Sequence, residues 1–385
     1  PEVVSKIVAS QAHHKKIDGH APGLQGKDLD TYVAAGVYSD HECATMEDAL
    51  AKLQRGQFIM IREGTAARNL EALAPLLTPQ YAERCMFCTD DKHPSDLLEK
   101  GHIDYIAREA INKYGVDPII AVKAACHHAS RYFLLNNRGA IAPGYLADFA
   151  VIDNFKDFNV EMVFKKGVLY WNNGELRDFE APQIEEYLDK RAHDTFHVST
   201  LTPDDFRDTR QRGVLGMVPG EIITTDNGYA DHVDLEKDIL KIAVVERHKG
   251  THHIGLGYIQ GYGLKSGAVA TSISHDSHNI IVVGTNSADM AFAANYIVEH
   301  HGGIVVVENG TVKGSVVLEI AGIMSDRPLT EVNDQLEAAK DAAFALGVSR
   351  GIDPFMTLSF MALPVIPKLR ITTRGVVDVD TQQYV

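Results

Sequence analysis

Two histidines and an aspartate, each just beyond a short apolar run, are the first residues equipped for chemistry. His20 closes "KIDGH", His41 sits in "VYSDHE", and Asp90 follows "RCMFC" in "CTDDKHPSD". Imidazole nitrogen and carboxylate oxygen are the usual ligands of Zn, Fe and Mn. A site that keeps one position open holds a water and lowers its pKa towards neutrality. A single histidine after a strand is ordinarily a hydrogen-bonded loop residue. Three metal-type ligands at successive strand ends form a pattern. Asp90 is assigned to the chemistry and its neighbour Asp91 to substrate contact, with Asp91 or Ser95 also able to cap the helix that follows.

Other polar clusters weigh less. In "SHDSHN", His275 and His278 are three apart with Asp276 between them, just before an apolar strand. They would line a pocket or hold metal, against the plainer reading of an Asx-type turn. Cys85 and Cys88 form C-x-x-C, but in a strand positions i and i+3 face opposite sides, so both read as core. His127 and His128 on one helix read as packing and capping.

These residues need elements to carry them. From 1 to 135, short apolar strand ends alternate with helical sequence: "KIDGH", "GKDLDTYVAAG", "VYSDHE", "TMEDALAKLQRG", "QFIMIRE", "ARNLEALAPLL", "RCMFCTDD", then two longer helical stretches. "TMEDAL" supplies a Thr N-cap with Asp three residues on. Alternating strands and helices predict parallel strands with crossover helices. His20, His41, Arg62 and Asp90 then all fall at the C-terminal ends, which in a parallel barrel open on one face. Only about four such units are visible, half of an eight-unit barrel. Residues 136–180 change to short Gly/Pro-punctuated strands and predict a small β domain. Residues 181–197 are charged and predict a linker. Residues 198–385 mix strands and helices and predict a further α/β domain.

Bulk properties bound the function. The 385 residues carry 37 Lys and Arg against 52 Asp and Glu, a formal charge of −15. That excludes a nucleic-acid backbone or an anionic membrane as main partner, since both need clustered cations. No apolar run reaches a membrane span, and "PEVVSKIVASQAHHKK" lacks a signal-peptide core. Four cysteines do not make a disulfide scaffold, so a cytoplasmic protein is expected. The chain begins with Pro1 rather than Met, and a fragment or processed piece is expected.

"IDGHAPGLQGKDLDTYVAAGVYSDHECATMEDALAKLQRGQFIMIREGTAARNL", "CTDDKHPSDLLEKGHID", "GAIAPGYLADFAVID", "GYGLKSGAVATSISHDSHNIIVVGTN" and "PFMTLSFMALPVIPKL" together resemble the bacterial-type adenine deaminases of the amidohydrolase superfamily. The resemblance runs along nearly the whole chain. It implies a metal-dependent (β/α)8 hydrolase barrel, here its C-terminal half, with a small β-sandwich domain and an additional C-terminal α/β domain. It implies hydrolysis of adenine to hypoxanthine and ammonia at a binuclear divalent centre of Mn or Fe, with Zn as the other candidate, in a homo-oligomer. His20 and His41 match the histidines after the fifth and sixth strands, and Asp90 the aspartate after the eighth, which would be ligand and proton shuttle. Glu42 or Asp91 would protonate or orient the purine. Arg62 would bind substrate or a structural carboxylate, and the His275–His278 loop would close over the base. The family pattern also calls for an H-x-H pair and a bridging Glu. The 18 histidines contain no pair two apart, so those ligands are expected from the portion N-terminal to Pro1, either absent here or carried by a separate N-terminal polypeptide of the same protein. The alternatives are another amidohydrolase acting on a cyclic amide or nucleobase, and a catalytically incomplete module for binding or assembly.

Overall fold

Short apolar runs, each followed by helical sequence, become strands of one parallel sheet in the computed structural model. It describes residues 2–65, 67–218 and 221–385. Two units divide the chain, residues 1–181 and 182–385.

In the first unit, helix α1 (Glu2–Ala12) precedes β1 (Ile17–Gly19), α2 (Gly26–Ala34), β2 (Val37–Asp40), α3 (Met46–Leu53), β3 (Phe58–Arg62), α4 (Leu70–Leu73) and β4 (Cys85–Cys88). The four strands pair in chain order and all pairings are parallel. Helices α5 (Pro94–Glu99) and α6 (Ile103–Asn112) follow. A helical run then passes from α7 (Pro118–Val122) through a π turn into α8 (His128–Tyr132). Thr45 caps α3 by accepting the Asp48 N–H at 3.2 Å, as its sequence predicts. Neither Asp91 nor Ser95 caps α5: its N-cap is His93, which makes no side-chain cap bond, and Pro94 begins the helix. Ile59, Ile61, Cys85 and Phe87 on β3 and β4 pack with Leu70, Leu73, Ile106, Ala107 and Ala121 of the helices. Each buried Leu or Ile there contributes about 1.5–3 kcal/mol. This core holds the strands level, so that their C-terminal ends share one edge.

The small β region is β5 (Phe149–Ile152), β6 (Val160–Lys165), β7 (Val168–Asn172) and β8 (Glu175–Leu176), one antiparallel sheet in chain order. Of the expected β-sandwich, these four strands are what the described residues contain. They form a single sheet in which no residue is fully buried, whereas two stacked sheets would bury the inner face of each strand.

In the second unit, α9 (Glu186–His193) lies inside the stretch expected to be a linker. Strands β9 (Arg212–Met217), β10 (Thr224–Ala230), β11 (Ile239–Val245), β12 (Ile254–Gln260), β13 (Ala268–Thr271), β14 (Ile280–Gly284), β15 (Gly303–Glu308) and β16 (Thr311–Val317) form one sheet. Its order is β10-β9-β12-β11-β14-β13-β15-β16. Helix α10 (Ser287–Glu299) covers one face, and α11 (Leu329–Ala345) with α12 (Pro354–Met361) the other. Successive residues of β11 choose opposite faces: Leu240, Ile242 and Val244 join the α11–α12 core, Ala243 and Val245 the α10 core. Strands β17 (Leu369–Thr372), β18 (Gly375–Asp378) and β19 (Gln383–Tyr384) make a three-stranded antiparallel sheet. Among the described residues no helix is long and apolar enough to cross a membrane.

Candidate metal centre

The C-terminal ends of β1 to β4 carry the candidate residues. Gly19 ends β1 opposite Asp40 at the end of β2. A Cβ at position 19 would lie 2.6 Å from the Ser39 carbonyl and 2.6 Å from the Tyr32 hydroxyl, so only glycine lets the two strands close here. His20 therefore leaves β1 directly beside His41, which leaves β2. Arg62 is the last residue of β3 and pairs with Cys88, the last of β4. Asp90, two residues beyond, has φ 55°, and its carboxylate turns back to the Arg62 guanidinium in an ion pair.

Three donor atoms converge. His20 Nδ1 lies 3.4 Å from His41 Nε2 and 3.5 Å from Glu42 Oε2. All three lie within 4.8 Å of one another. Around an ion with bonds of about 2.1 Å, tetrahedral donors are spaced about 3.4 Å apart. Glu42 Oε2 is buried with no hydrogen-bond donor aligned on it, although Arg62 Nη1 stands 2.8 Å away as its ion-pair partner. This carboxylate oxygen, shared with Arg62 and facing two ring nitrogens, fits a further cation. Among the described residues no other three such side chains converge closely enough to hold one.

A second layer of hydrogen bonds orients His41. His41 Nδ1 donates to Asp18 Oδ2 at 2.8 Å, which leaves Nε2 as the lone-pair nitrogen directed at His20. Asp18 Oδ1 accepts from Ser39 Oγ at 2.6 Å. Because Ser39 spends its proton there, Tyr132 Oη donates to Ser39 Oγ, 2.6 Å away. The Asp18 bond raises the His41 imidazole above its ordinary pKa, against burial. Burial pushes the Asp18 carboxyl up, but His41 and Ser39 together hold it below its usual value. Burial likewise disfavours the Arg62 cation, and the Glu42 and Asp90 carboxylates more than restore it.

Of the residues singled out from sequence, His20, His41 and Glu42 meet directly. Asp90 joins them through Arg62. Asp91 stands on the neighbouring loop, its carbonyl accepting the Thr65 N–H at 2.7 Å. The 275–278 residues belong to the second unit. There the His275 ring stacks on Phe360 at 4.9 Å, lies 3.3 Å from Asp276 Oδ1 and faces the His278 ring at 6.0 Å. Burial and the nearby His275 lower the His278 pKa. Asp18, Ser39, Tyr132 and Asp40 were not singled out. The one available signal was D-x-H in "IDGH", an acid placed to face the next strand's histidine.

Residues 1–170 match the amidohydrolase family, and residues 221–383 match the adenine deaminase C-terminal domain. An adenine deaminase of Desulfatibacillum aliphaticivorans is 44% identical over 393 aligned positions, covering 100% of this chain and 68% of that protein. One of Dehalococcoides mccartyi is 44% identical over 394, covering 99% of this chain and 67% of that protein. A solved beta-aspartyl dipeptidase of Fervidobacterium islandicum is 23% identical with a TM-score of 0.30, over 35% of this chain and 36% of that one. Matched in both units and aligned with these relatives from end to end, the chain belongs to the adenine deaminase family.

Proposed function

We propose that the chain takes part in the hydrolytic deamination of adenine to hypoxanthine and ammonia, with His20, His41 and a neighbouring carboxylate holding a divalent ion. The observation that carries this is the meeting of His20 Nδ1, His41 Nε2 and Glu42 Oε2 at the parallel strand ends, in a chain whose relatives are named adenine deaminase. A bound Mn, Fe or Zn ion supplies Lewis acidity and a water acidic enough to attack at neutral pH. The chain's own groups do the rest. Asp18 fixes the His41 ring. Arg62 pairs with both the Asp90 and the Glu42 carboxylates. Asp90 takes a proton from the attacking water and returns it to the departing exocyclic nitrogen, so that ammonia leaves. Glu42 or Asp91 protonates or orients the purine ring. Arg62 contacts substrate or holds the carboxylates.

A binuclear centre needs more donors than meet here. With no H-x-H among the 18 histidines, a separate N-terminal polypeptide of the same protein would supply that pair and the bridging Glu, in a cytoplasmic homo-oligomer. Ammonia release is to be measured with adenine, cytosine, guanine and dihydroorotate, for the chain alone and together with a polypeptide supplying H-x-H. Turnover of adenine ahead of the others is expected once that polypeptide is present. Preference for another substrate, or no release from the combination, overturns the reading.

A further inference from the structure

Behind the donor atoms lies a second charged group that touches none of them. Lys52, on the inner side of α3, is fully buried, as is Asp40, and Asp48 is nearly so. Lys52 Nζ donates to the Ala21 carbonyl at 2.7 Å and to Asp48 Oδ2 at 3.1 Å, and stands 3.3 Å from Asp40 Oδ2. Asp40 Oδ2 accepts the Ala21 N–H at 2.8 Å, and its Oδ1 accepts the Glu42 N–H at 2.7 Å. Asp48 Oδ2 reaches the Gly23 N–H at 3.4 Å. Cys43 Sγ completes the shell, 3.4 Å from Lys52 Nζ.

We infer that Lys52, Asp40 and Asp48 form a positioning clamp for the metal ligands. The inference rests on the proposed metal site. The clamp grips the backbone immediately after His20, on both the N–H and the C=O of Ala21, and the N–H of Glu42. These grips flank all three donor-bearing residues and set their separation. Stability alone does not account for the arrangement. Two carboxylates and one ammonium leave a net negative charge in the interior, and buried ion pairs are often matched or bettered by apolar side chains of similar volume. What apolar side chains cannot supply is direction: two acceptors and one donor fixed on chosen backbone groups. The outer support of metal ligands typically governs about 10–100-fold of metal affinity.

The test is chelator competition for Mn2+, Zn2+ and Co2+ on the full chain, with the visible spectrum of the Co2+ form as a report of ligand geometry. Lys52→Met strips both carboxylates of their cation and is liable to unfold. The double variant Lys52→Met/Asp48→Asn keeps the net charge and leaves Asp40 with its two N–H donors. It is expected to fold, to lose about 10–100-fold in metal affinity and to change the Co2+ spectrum, with Lys52→Arg restoring part of both. A folded double variant with affinity within twofold of the unsubstituted chain and an unchanged spectrum overturns the clamp. Failure of the unsubstituted chain to bind any of these ions overturns the metal reading instead.

Discussion

Replacing Asp18 separates the support of a ligand from the ligand itself. Asp18 Oδ2 accepts a charge-assisted bond from His41 Nδ1 at 2.8 Å. Hydrogen bonds to charged groups are worth about 1.5–3 kcal/mol and neutral ones about 0.5–1.5 kcal/mol. In Asp18→Asn the amide oxygen still accepts from His41, so the loss is the difference, about 1–1.5 kcal/mol. The Ser39–Tyr132 pair can reverse its proton order to take the new NH2, which limits damage to the fold. At about 1.4 kcal/mol per decade, metal affinity should fall about 5- to 12-fold. Asp18→Ala removes the acceptor altogether and should cost about 10–100-fold. Chelator competition at fixed pH measures both, with circular dichroism confirming the folded state. If folded Asp18→Ala binds the ion within twofold of the parent, Asp18 does not orient a ligand and the donor set is wrong.

Three other substitutions probe separate links. Asp90→Asn should lower ammonia release at least about 100-fold, the usual scale of a lost proton-transfer group, while metal content stays near the parent's; near-parental turnover removes Asp90 from proton transfer. Gly19→Ala pushes a methyl against the Ser39 carbonyl and the Tyr32 hydroxyl and should cost about 1–3 kcal/mol by overpacking, read as a lower denaturation midpoint; a parental midpoint shows that the strand ends have slack. In the second unit, burial pushes the Asp208 carboxyl up, but bonds from Arg210 and Arg212 hold it down to about 2. A depressed carboxylate stabilises the fold above its unfolded pKa near 3.8 and loses that contribution as pH falls through 3.8 towards 2. With Arg210 largely exposed and screened by solvent, the contribution is on the order of 1 kcal/mol, and Asp208→Asn should flatten acid unfolding over that window. A variant as acid-sensitive as the parent in that window refutes this assignment.

The legible parts of the fold were those specified locally. Strands β3 and β4 are apolar runs, and the parallel pairing of β1 to β4 in chain order follows from the helix between each pair. The second unit gave up several strands and two helices but not its sheet order. Strand β9 lies parallel to β12, some forty residues on, and nothing local encodes that choice. "ILKIAVV" also reads as one apolar run because both faces of β11 are buried, which hides the period of two. The small sheet is legible only in its strands. Gly and Pro mark its turns well, but turns do not reveal whether a second sheet covers the strands.

The site was legible where it is chemical and illegible where it is mechanical. His20, His41 and Asp90 stand out because such side chains at successive strand ends are hard to explain otherwise; in the structure it is Glu42, read from sequence as a group for the purine, that meets the two histidines, while Asp90 pairs with Arg62. Asp40 sits in the same hexapeptide as His41, yet only its direction distinguishes it: it points inward, to the Ala21 and Glu42 amides and to Lys52. Lys52 is harder still, since a lysine near a helix end ordinarily reaches solvent. The clue available was the spacing of Asp48 and Lys52, four apart, on the face that also carries Ala49. An ion pair at that spacing on an apolar face has no solvent to screen it, so it must be buried against something it holds. Here that is the backbone carrying the ligands. The same rule can be applied to any strand–helix repeat: where an acid and a lysine share the inward face of a crossover helix, the loop they grip is the place to look for ligands.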